Sequence, residues 1–174
     1  MTSRVKLSAR DRPLRDDMGG VMVRVRQGLE ELYHEQGDRL WWALLAFTGD
    51  REIASDAEAE AFAQALRRGD AIRNPQAWIW TAAFRIAAGQ LHERGRSEPI
   101  VTEPIYEMPE PAAELADALR RLPAQQRAAI VLHYYADRPI REIAATLGIS
   151  SATVAVHLHR GRNKLRDLLG DDDD

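Results

Sequence analysis

Seven side chains near the end of the chain have the chemical types and the spacing that DNA recognition requires. Hydroxyl groups suit phosphate contacts near a helix N-terminus, whereas imidazole, guanidinium and amide groups hydrogen-bond base edges or the DNA backbone. Within residues 150–163 these side chains are Ser150, Ser151, Thr153, Val156, His159, Arg160 and Asn163. The outward position of Val156 has two interpretations: an apolar contact with a thymine methyl group, or a protein partner that covers it.

Two helices joined by a tight turn are predicted to position these side chains. Pro139 suits the start of the first helix, where a missing N–H costs nothing, and residues 147–150 form the turn. Ser150 is the natural N-cap of the second helix, so at least one of the serines has a structural role. Residues at helical spacing form the buried stripe of that helix: Val154, Leu158, Gly161, Leu165 and Leu168. The pattern predicts a helix-turn-helix that reads the major groove of DNA.

A second candidate site lies on a predicted helix of residues 74–94, which begins with the N-cap signal Asn74-Pro75. Its narrow polar arc contains Trp78, Thr81, Arg85 and His92. An indole on a polar face can stack on an unpaired base, and Arg85 can hold a phosphate. The alternative is that Trp78 packs against a neighbouring helix. Trp80 and Phe84 on the other flank are expected in the core, although Phe84 is also kept among the candidate DNA contacts.

The composition excludes several classes of site. The chain has no cysteine, which excludes disulfides and thiolate metal sites. His157 and His159 are two residues apart and cannot face each other on a helix, so we predict no metal site. No long apolar run suggests a membrane span, and we expect a cytoplasmic protein. We find no phosphate loop and no pairing of a nucleophile with a base, so the sequence predicts neither an enzyme nor a cofactor.

Charge and proline content divide the chain into parts. Residues 112–170 contain nine basic and five acidic residues, a net charge of +4, although the whole chain carries −3. Residues 97–111 contain four prolines and four glutamates and no basic residue, which predicts a linker without a helix. We therefore predict an all-α protein with two small helical domains, at 21–96 and 112–170, joined by this acidic, proline-rich linker. Residues 1–20 are expected to be a disordered extension, and 171–174 an acidic tail.

These features resemble the extracytoplasmic-function (ECF) sigma factors of the bacterial sigma-70 family. The segment LRRLPAQQRAAIVLHYYADRPIREIAATLGIS is similar to the family's region 4, through Leu122-Pro123, Arg127 and Glu142-Ile143-Ala144. Ala77-Trp78-Ile79 is similar to the Trp-Leu signature of its promoter-melting helix. The chain departs from the family at three places. Ala59 replaces a usual Gln, Phe84-Arg85 replaces Arg-Asn, and residues 153–157 read TVAVH where the family commonly reads TVKSR.

The resemblance implies a protein that binds core RNA polymerase and promoter DNA. The first domain would open the −10 element through Trp78, Thr81, Phe84 and Arg85, and the second would read the −35 element through the seven side chains named above. Asp56 and Glu60, which otherwise look like an ordinary solvated helix face, would bind the polymerase. The linker glutamates are either a solvated spacer or an imitation of nucleic acid in the RNA exit path. An anti-sigma factor is a further partner that the resemblance allows.

Two other classes of protein, a DNA-binding regulator and an enzyme, are alternatives to the sigma factor and predict different behaviour. A stand-alone helix-turn-helix regulator would bind duplex DNA by itself and would use a dimerisation face. An enzyme that carries the motif would need a catalytic constellation, and we find none in the sequence. A sigma factor, by contrast, would bind promoter DNA well only together with core polymerase.

Overall fold

The computed structural model describes residues 15–97 and 110–170, and within these ranges the secondary structure is helical, with no strand. The N-terminal unit contains α1 (Arg15–Thr48), α2 (Arg51–Arg68) and α3 (Pro75–Ser97), with a 3₁₀ turn at Gly69–Ala71. The C-terminal unit contains α4 (Glu110–Arg120), α5 (Ala124–Ile130), α6 (Ile140–Leu147) and α7 (Ser151–Leu169), with a π-helical turn at Val131–Tyr135 after α5. The all-α prediction is confirmed.

The observed helix boundaries make the predicted N-terminal extension and the predicted linker shorter than expected. Helix α1 begins at Arg15, so residues 15–20 belong to a helix and not to the extension predicted for 1–20. Helix α3 continues to Ser97 and α4 begins at Glu110, because proline at 111 is tolerated in the first turn of a helix. The remaining residues of the predicted extension, linker and tail (1–14, 98–109 and 171–174) lie outside the described residues.

The core of the N-terminal unit lies between α1, α2 and α3. Leu40 and Leu44 of α1 are almost fully buried against Ile53 of α2 and Ile79 of α3. Alanines at helical spacing on α2, all buried, allow close packing of its neighbours: Ala54, Ala57, Ala61 and Ala65. Asp50 caps α2 by accepting hydrogen bonds from the backbone N–H groups of Glu52 and Ile53.

Gly37 lies inside α1 and does not interrupt the helix. The absence of a side chain lets α2 approach. A Cβ at this position would come within 3.3 Å of both the Glu58 carboxylate and the Tyr33 ring. Glu58 is only 8% exposed, and burial, together with the nearby charge of Asp38, raises its pKa to about 7.

Replacing Glu58 with glutamine is expected to stabilise the protein at pH 8. Below pH 4.5 this carboxyl group is protonated in both the folded and the unfolded chain and has no effect. Between pH 4.5 and about 7 the unfolded chain releases the proton while the folded chain retains it, so stability falls as the pH rises. We expect a penalty of about 1–2 kcal/mol above pH 7, since partial screening reduces the effect of the full pKa shift.

Urea denaturation of the wild type and of Glu58→Gln at several pH values measures this effect. The difference in unfolding free energy should grow between pH 5 and pH 7 and then stay constant. Glu60→Gln is the matched control. Hydrogen bonds from Gln64 and Arg67 lower the pKa of the Glu60 carboxyl below its usual value. The Glu60→Gln difference is therefore constant above pH 4.5 and changes with pH only below it. A Glu58→Gln difference that does not vary with pH would contradict the prediction.

Two tertiary contacts position the helices of the C-terminal unit, one made by Arg127 and one by Gly161. Arg127 is buried and donates hydrogen bonds to the carbonyl oxygens of Arg120 and Leu122, which satisfies backbone groups at the end of α4. Gly161 of α7 lies against Ile130, and a Cβ there would come within 2.9 Å of the Ile130 side chain. A glycine at this position therefore sets how closely α7 packs on α5.

Candidate nucleic-acid interface

The predicted helix-turn-helix is formed by α6 and α7. Gly148 ends α6 in the left-handed conformation, with φ of 68°, and the Ile149 N–H returns to the Ala144 carbonyl oxygen at 3.1 Å. Ser150 then caps α7, because its hydroxyl accepts the Thr153 N–H at 3.1 Å. The local signals in the sequence therefore produce the predicted turn, and they also show which serine is the structural one.

Helix α7 buries one stripe and exposes the other, as predicted. Val154, Leu158 and Gly161 are buried, and Leu165 and Leu168 are partly buried. The candidate DNA-facing residues on the opposite side are exposed, apart from the half-buried Thr153: Ser150, Ser151, Val156, His159, Arg160 and Asn163. Val156 is 45% exposed, which leaves both of its interpretations, a thymine contact and a protein contact, in place.

Two pairs of these candidates are bonded to each other. The Ser150 and Thr153 hydroxyl oxygens are 2.8 Å apart. The Asn163 amide nitrogen lies 3.2 Å from Nε2 of His159, one helical turn away. Such pairs hold the side chains in a defined orientation. Within residues 15–97 and 110–170, Arg160 has no hydrogen-bond or ion-pair partner, and its side chain lies on the exposed face of α7.

Trp78 on α3 is partly packed and partly accessible, so both of its interpretations remain in place. Its ring is partly buried against the N-terminal core, and the guanidinium carbon of Arg68 lies 5.2 Å from the ring centroid. The remaining ring surface borders an open cavity of about 400 Å³. Arg68, Arg73 and Asn74 also line this cavity, so an aromatic face and cationic groups meet in one place.

Phe84 is a core residue, and the prediction that it contacts DNA is wrong for this structure. Its ring is 2% exposed and stacks between Phe47 and Trp80, at centroid distances of 5.3 and 6.2 Å. The expectation that Trp80 and Phe84 belong to the core is confirmed. A ring held in this way cannot stack on a base without rearrangement of the aromatic cluster.

Thr81 and Arg85, the other two candidates on α3, are bonded to the C-terminal unit. The Thr81 hydroxyl oxygen is 3.1 Å from that of Thr146 on α6. Arg85 donates a hydrogen bond of 2.9 Å to the Ala145 carbonyl oxygen, also on α6. The sequence predicted that these residues lie on the polar face of α3. In the structure, α6 contacts both of them on that face.

Helix α2 presents the candidate polymerase-binding residues to solvent. Asp56 and Glu60 are both exposed. Glu60 accepts hydrogen bonds from Gln64 at 2.9 Å and from Arg67 at 2.7 Å. The resulting face is acidic and has one paired cation, Arg67. Among residues 110–170, none covers Asp56 or Glu60.

Sequence reasoning missed the residues that join the two units. Arg39 donates hydrogen bonds to the Asp137 carboxylate and the Tyr135 carbonyl oxygen. Arg138 lies over the Trp80 ring at 4.5 Å, and burial lowers the pKa of its guanidinium. These side chains read as ordinary surface arginines in the sequence. Asp137, a non-glycine residue, has a positive φ of 51°, which is visible only in the structure.

Metal-binding clusters and membrane-spanning helices were sought in the part of the chain that the structure describes. Across residues 15–97 and 110–170, no three or more His, Asp or Glu side chains are arranged to hold a metal ion. In the same residues, no helix combines the length and the hydrophobicity required to cross a bilayer.

Comparison with known proteins gives consistent results. Residues 112–165 match the sequence family described as Sigma-70, region 4. The chain is 30% identical over 154 residues to the ECF RNA polymerase sigma factor SigL of Mycobacterium tuberculosis, covering 79% of this chain and 86% of SigL. It is also 30% identical over 159 residues to the ECF sigma factor SigE of Mycolicibacterium smegmatis, covering 80% of this chain and 61% of SigE.

Solved structures share the fold. The sigma factor RpoE of Bartonella quintana, crystallised with the anti-sigma factor NepR, superposes with a TM-score of 0.71 and 24% identity, covering 85% of this chain and 99% of RpoE. CnrH, in complex with the cytosolic domain of CnrY, gives a TM-score of 0.65 at 24% identity, covering 91% of this chain and 97% of CnrH.

Proposed function

Because the chain belongs to the ECF sigma factors of the sigma-70 family, we propose that it binds core RNA polymerase in the cytoplasm and directs initiation at specific promoters. The observation that carries the proposal is the open face of α7, in a unit that carries a net charge of +4 and matches sigma region 4. The chain supplies binding and strand opening, and the polymerase supplies the chemistry of RNA synthesis.

Helix α7 reads the −35 element in this proposal. The N-terminus of the helix offers Ser151 and Thr153 for phosphate contacts, where the helix dipole favours an anion. Arg160 supplies charge, and the bonded pair of His159 and Asn163 presents fixed donors and acceptors. Since TVAVH stands where the family commonly has TVKSR, the helix has fewer charged contacts and relies more on Val156.

Replacing Arg160 with alanine is expected to weaken promoter binding broadly and to reduce the salt dependence by about one unit of slope, because one phosphate contact is lost. Val156→Ser removes no charge. It should leave the slope unchanged and relax the preference at one thymine. Selection of −35 variants by the holoenzyme, repeated at several salt concentrations, measures both effects. An unchanged preference at every position in Val156→Ser would show that a protein covers Val156 instead.

Helix α3 opens the −10 element in this proposal. A base that leaves the duplex must recover its lost stacking, and the Trp78 ring is the aromatic surface beside an open cavity. Arg68 and Arg73 line the same cavity and can neutralise phosphates of the separated strand. Thr81 and Arg85 continue this surface along α3 once α6 no longer covers them. Phe84 has only an indirect part, as the ring that supports Trp80.

An anti-sigma factor is a further proposed partner. The similar RpoE and CnrH chains were each solved with a bound partner, NepR and the cytosolic domain of CnrY. In this chain, an apolar groove between α1 and α4 is lined by Leu45, Ala46, Leu115 and Leu119. Leu115 is 44% exposed, so the groove offers an amphipathic segment an apolar surface.

Sedimentation of the purified chain with and without core polymerase separates the sigma factor from the operator-binding regulator. The sigma factor is expected to sediment as a monomer and to co-sediment with core enzyme in equal amounts. A stable dimer that does not co-sediment with core polymerase would favour the operator-binding regulator and contradict the proposal.

A further inference from the structure

A second cavity lies beside the one that Trp78 borders, on the other side of the turn that joins α2 and α3. It has a volume of about 280 Å³ and lies between α1 and this turn. Ile72 lines both cavities, so the turn is the wall between them. Helix α1 therefore forms one side of a cavity next to the place proposed for the −10 strand.

The lining of this second cavity is mostly apolar, with an exposed cation on the side of α1. Val25 and Leu29 of α1 line one side, and Ile72 and Pro75 line the other. Arg24 of α1 also lines the cavity and is exposed. An apolar slot beside a guanidinium group suits a nucleotide, because the faces of a base pack on apolar groups and the phosphate is an anion.

The charges around the two cavities are mainly positive and unpaired. Within residues 15–97 and 110–170, three exposed arginines that line the cavities have no ion-pair partner: Arg24, Arg68 and Arg73. By contrast, Arg26 on the same face of the chain's first helix is paired with Glu30 at 3.0 Å. Among the described residues that line either cavity, the acidic one is Asp70. Three cations and one anion around adjoining cavities attract successive phosphates of a nucleic-acid strand.

We propose that the cavity between α1 and the turn is a second nucleotide-binding site for the separated −10 strand. Arg24 holds a phosphate, and a base enters the slot lined by Val25 and Pro75. This base lies close in the strand to the one that stacks on Trp78, because the two cavities share a wall. The inference rests on the proposed function, since the Trp78 cavity must receive a base of the −10 strand. It adds α1 to the elements that hold the opened promoter.

Gly28 offers a way to fill this cavity without disturbing the core. It is exposed and lines the cavity, and a Cβ at this position would meet no heavy atom within 4 Å outside its own helical turn. Gly28→Leu therefore adds a side chain to the cavity and also improves the helix propensity of α1. The matched control is Gly19→Leu on the same helix, where a Cβ also meets open space. The two glycines lie about 180° apart around the helix axis.

Binding of holoenzyme to promoter fragments that are unpaired across the −10 element tests the proposal. Each −10 nucleotide of either strand in turn lacks its base. With wild-type holoenzyme, two nearby abasic positions in one strand should each weaken binding several-fold, one for each cavity. Gly28→Leu should remove the penalty at one position and Trp78→Ala at the other, because the missing base and the changed cavity remove the same interaction. Gly19→Leu should retain both penalties.

Arg24→Gln tests the phosphate contact separately from the base. The loss of one phosphate contact with a single strand should lower the slope of log affinity against log salt concentration by about 0.7. Arg26→Gln is the control, because Glu30 already neutralises Arg26, and its slope should equal that of the wild type. Equal slopes for Arg24→Gln and the wild type would overturn the proposal. So would weaker binding of Arg24→Gln to core polymerase with an unchanged slope, which would assign the arginine to a protein contact.

The outcomes separate a failure of this site from a failure of the proposed function. If wild-type holoenzyme binds none of the fragments, the proposed function fails and the second site fails with it. If it binds and shows only the penalty that Trp78→Ala removes, the proposed function stands and the second site is overturned. An abasic profile of Gly28→Leu identical to that of the wild type would also overturn it. Should circular dichroism show that Gly28→Leu is unfolded, the wild-type profile and Arg24→Gln, at an exposed position, still decide.

Discussion

Replacing Trp78 with alanine is expected to reduce open-complex formation about 5- to 150-fold, while binding to the closed promoter changes little. The range corresponds to the loss of one aromatic stacking partner, about 1–3 kcal/mol. The effect belongs to the opening step because a base exposes its face for stacking on the ring only after it has left the duplex. The ring borders the cavity lined by Arg68 and Arg73. Permanganate footprinting of the −10 element, compared with a gel-shift of the closed complex, measures the two steps separately.

The control for this prediction must exclude a loss of structure, since Trp78 is partly packed against the core. Trp78→Phe keeps an aromatic face and is expected to retain most of the opening activity. Thermal melting of all three proteins by circular dichroism shows whether the N-terminal unit stays folded. If Trp78→Ala melts the unit, or if Trp78→Phe is as defective as Trp78→Ala, the stacking role is contradicted.

Reversing the charges of the acidic face of α2 is expected to abolish transcription by weakening the complex with core polymerase. In Asp56→Lys/Glu60→Lys, two exposed carboxylates are replaced by cations, and Arg67 loses its partner Glu60. Loss of hydrogen-bonded charge contacts at an interface costs about 2 kcal/mol or more, which corresponds to a weakening of about 30-fold or more. Titration of labelled sigma factor with core enzyme measures this affinity.

The matched control has the same change of charge and the same spacing on another helix. Glu31 and Glu35 are exposed, lie four residues apart on α1 and are not proposed to touch the polymerase. Glu31→Lys/Glu35→Lys should therefore retain most of the affinity for core enzyme. Equal weakening by both double variants would indicate a general effect of net charge and would contradict a specific role of Asp56 and Glu60.

The helices and the helix-turn-helix could be predicted because their signals are local. Asn74 accepts the Ala77 N–H at the start of α3, Asp50 and Ser150 cap α2 and α7, and Gly148 takes the left-handed conformation at the turn. The alternation of buried and exposed positions on α7 follows the same short-range pattern. For such features, residues within about one helical turn contain the necessary information.

The contact between the two units could not be predicted, because the residues that form it are distant in the sequence. Thr81 and Thr146 are 65 residues apart, and Arg39 and Asp137 are 98 residues apart. Each of these residues is polar and suits an exposed position, so no periodicity marks it as a contact. Phe84 failed as a candidate for a related reason. The family resemblance implied a DNA contact, whereas the burial of Phe84 depends on Phe47 of another helix.

The π-helical turn at 131–135 is a further feature without a signal in the sequence. It ends α5, and it brings the Tyr135 carbonyl oxygen and the Asp137 carboxylate to Arg39. Irregular turns of this kind arise from tertiary packing and often occur at functional places in helical proteins. In this chain the turn lies where the C-terminal unit contacts α1 of the N-terminal unit.

Run-off transcription with purified core RNA polymerase tests the central claim most directly. The template set is a library of promoter fragments from the organism that encodes the chain. The proposal predicts discrete transcripts that require both the chain and core enzyme, with loss of these transcripts in Asp56→Lys/Glu60→Lys. Tight, sequence-specific binding of the chain alone to duplex DNA at physiological salt, with no transcript added to those of core enzyme, would contradict it.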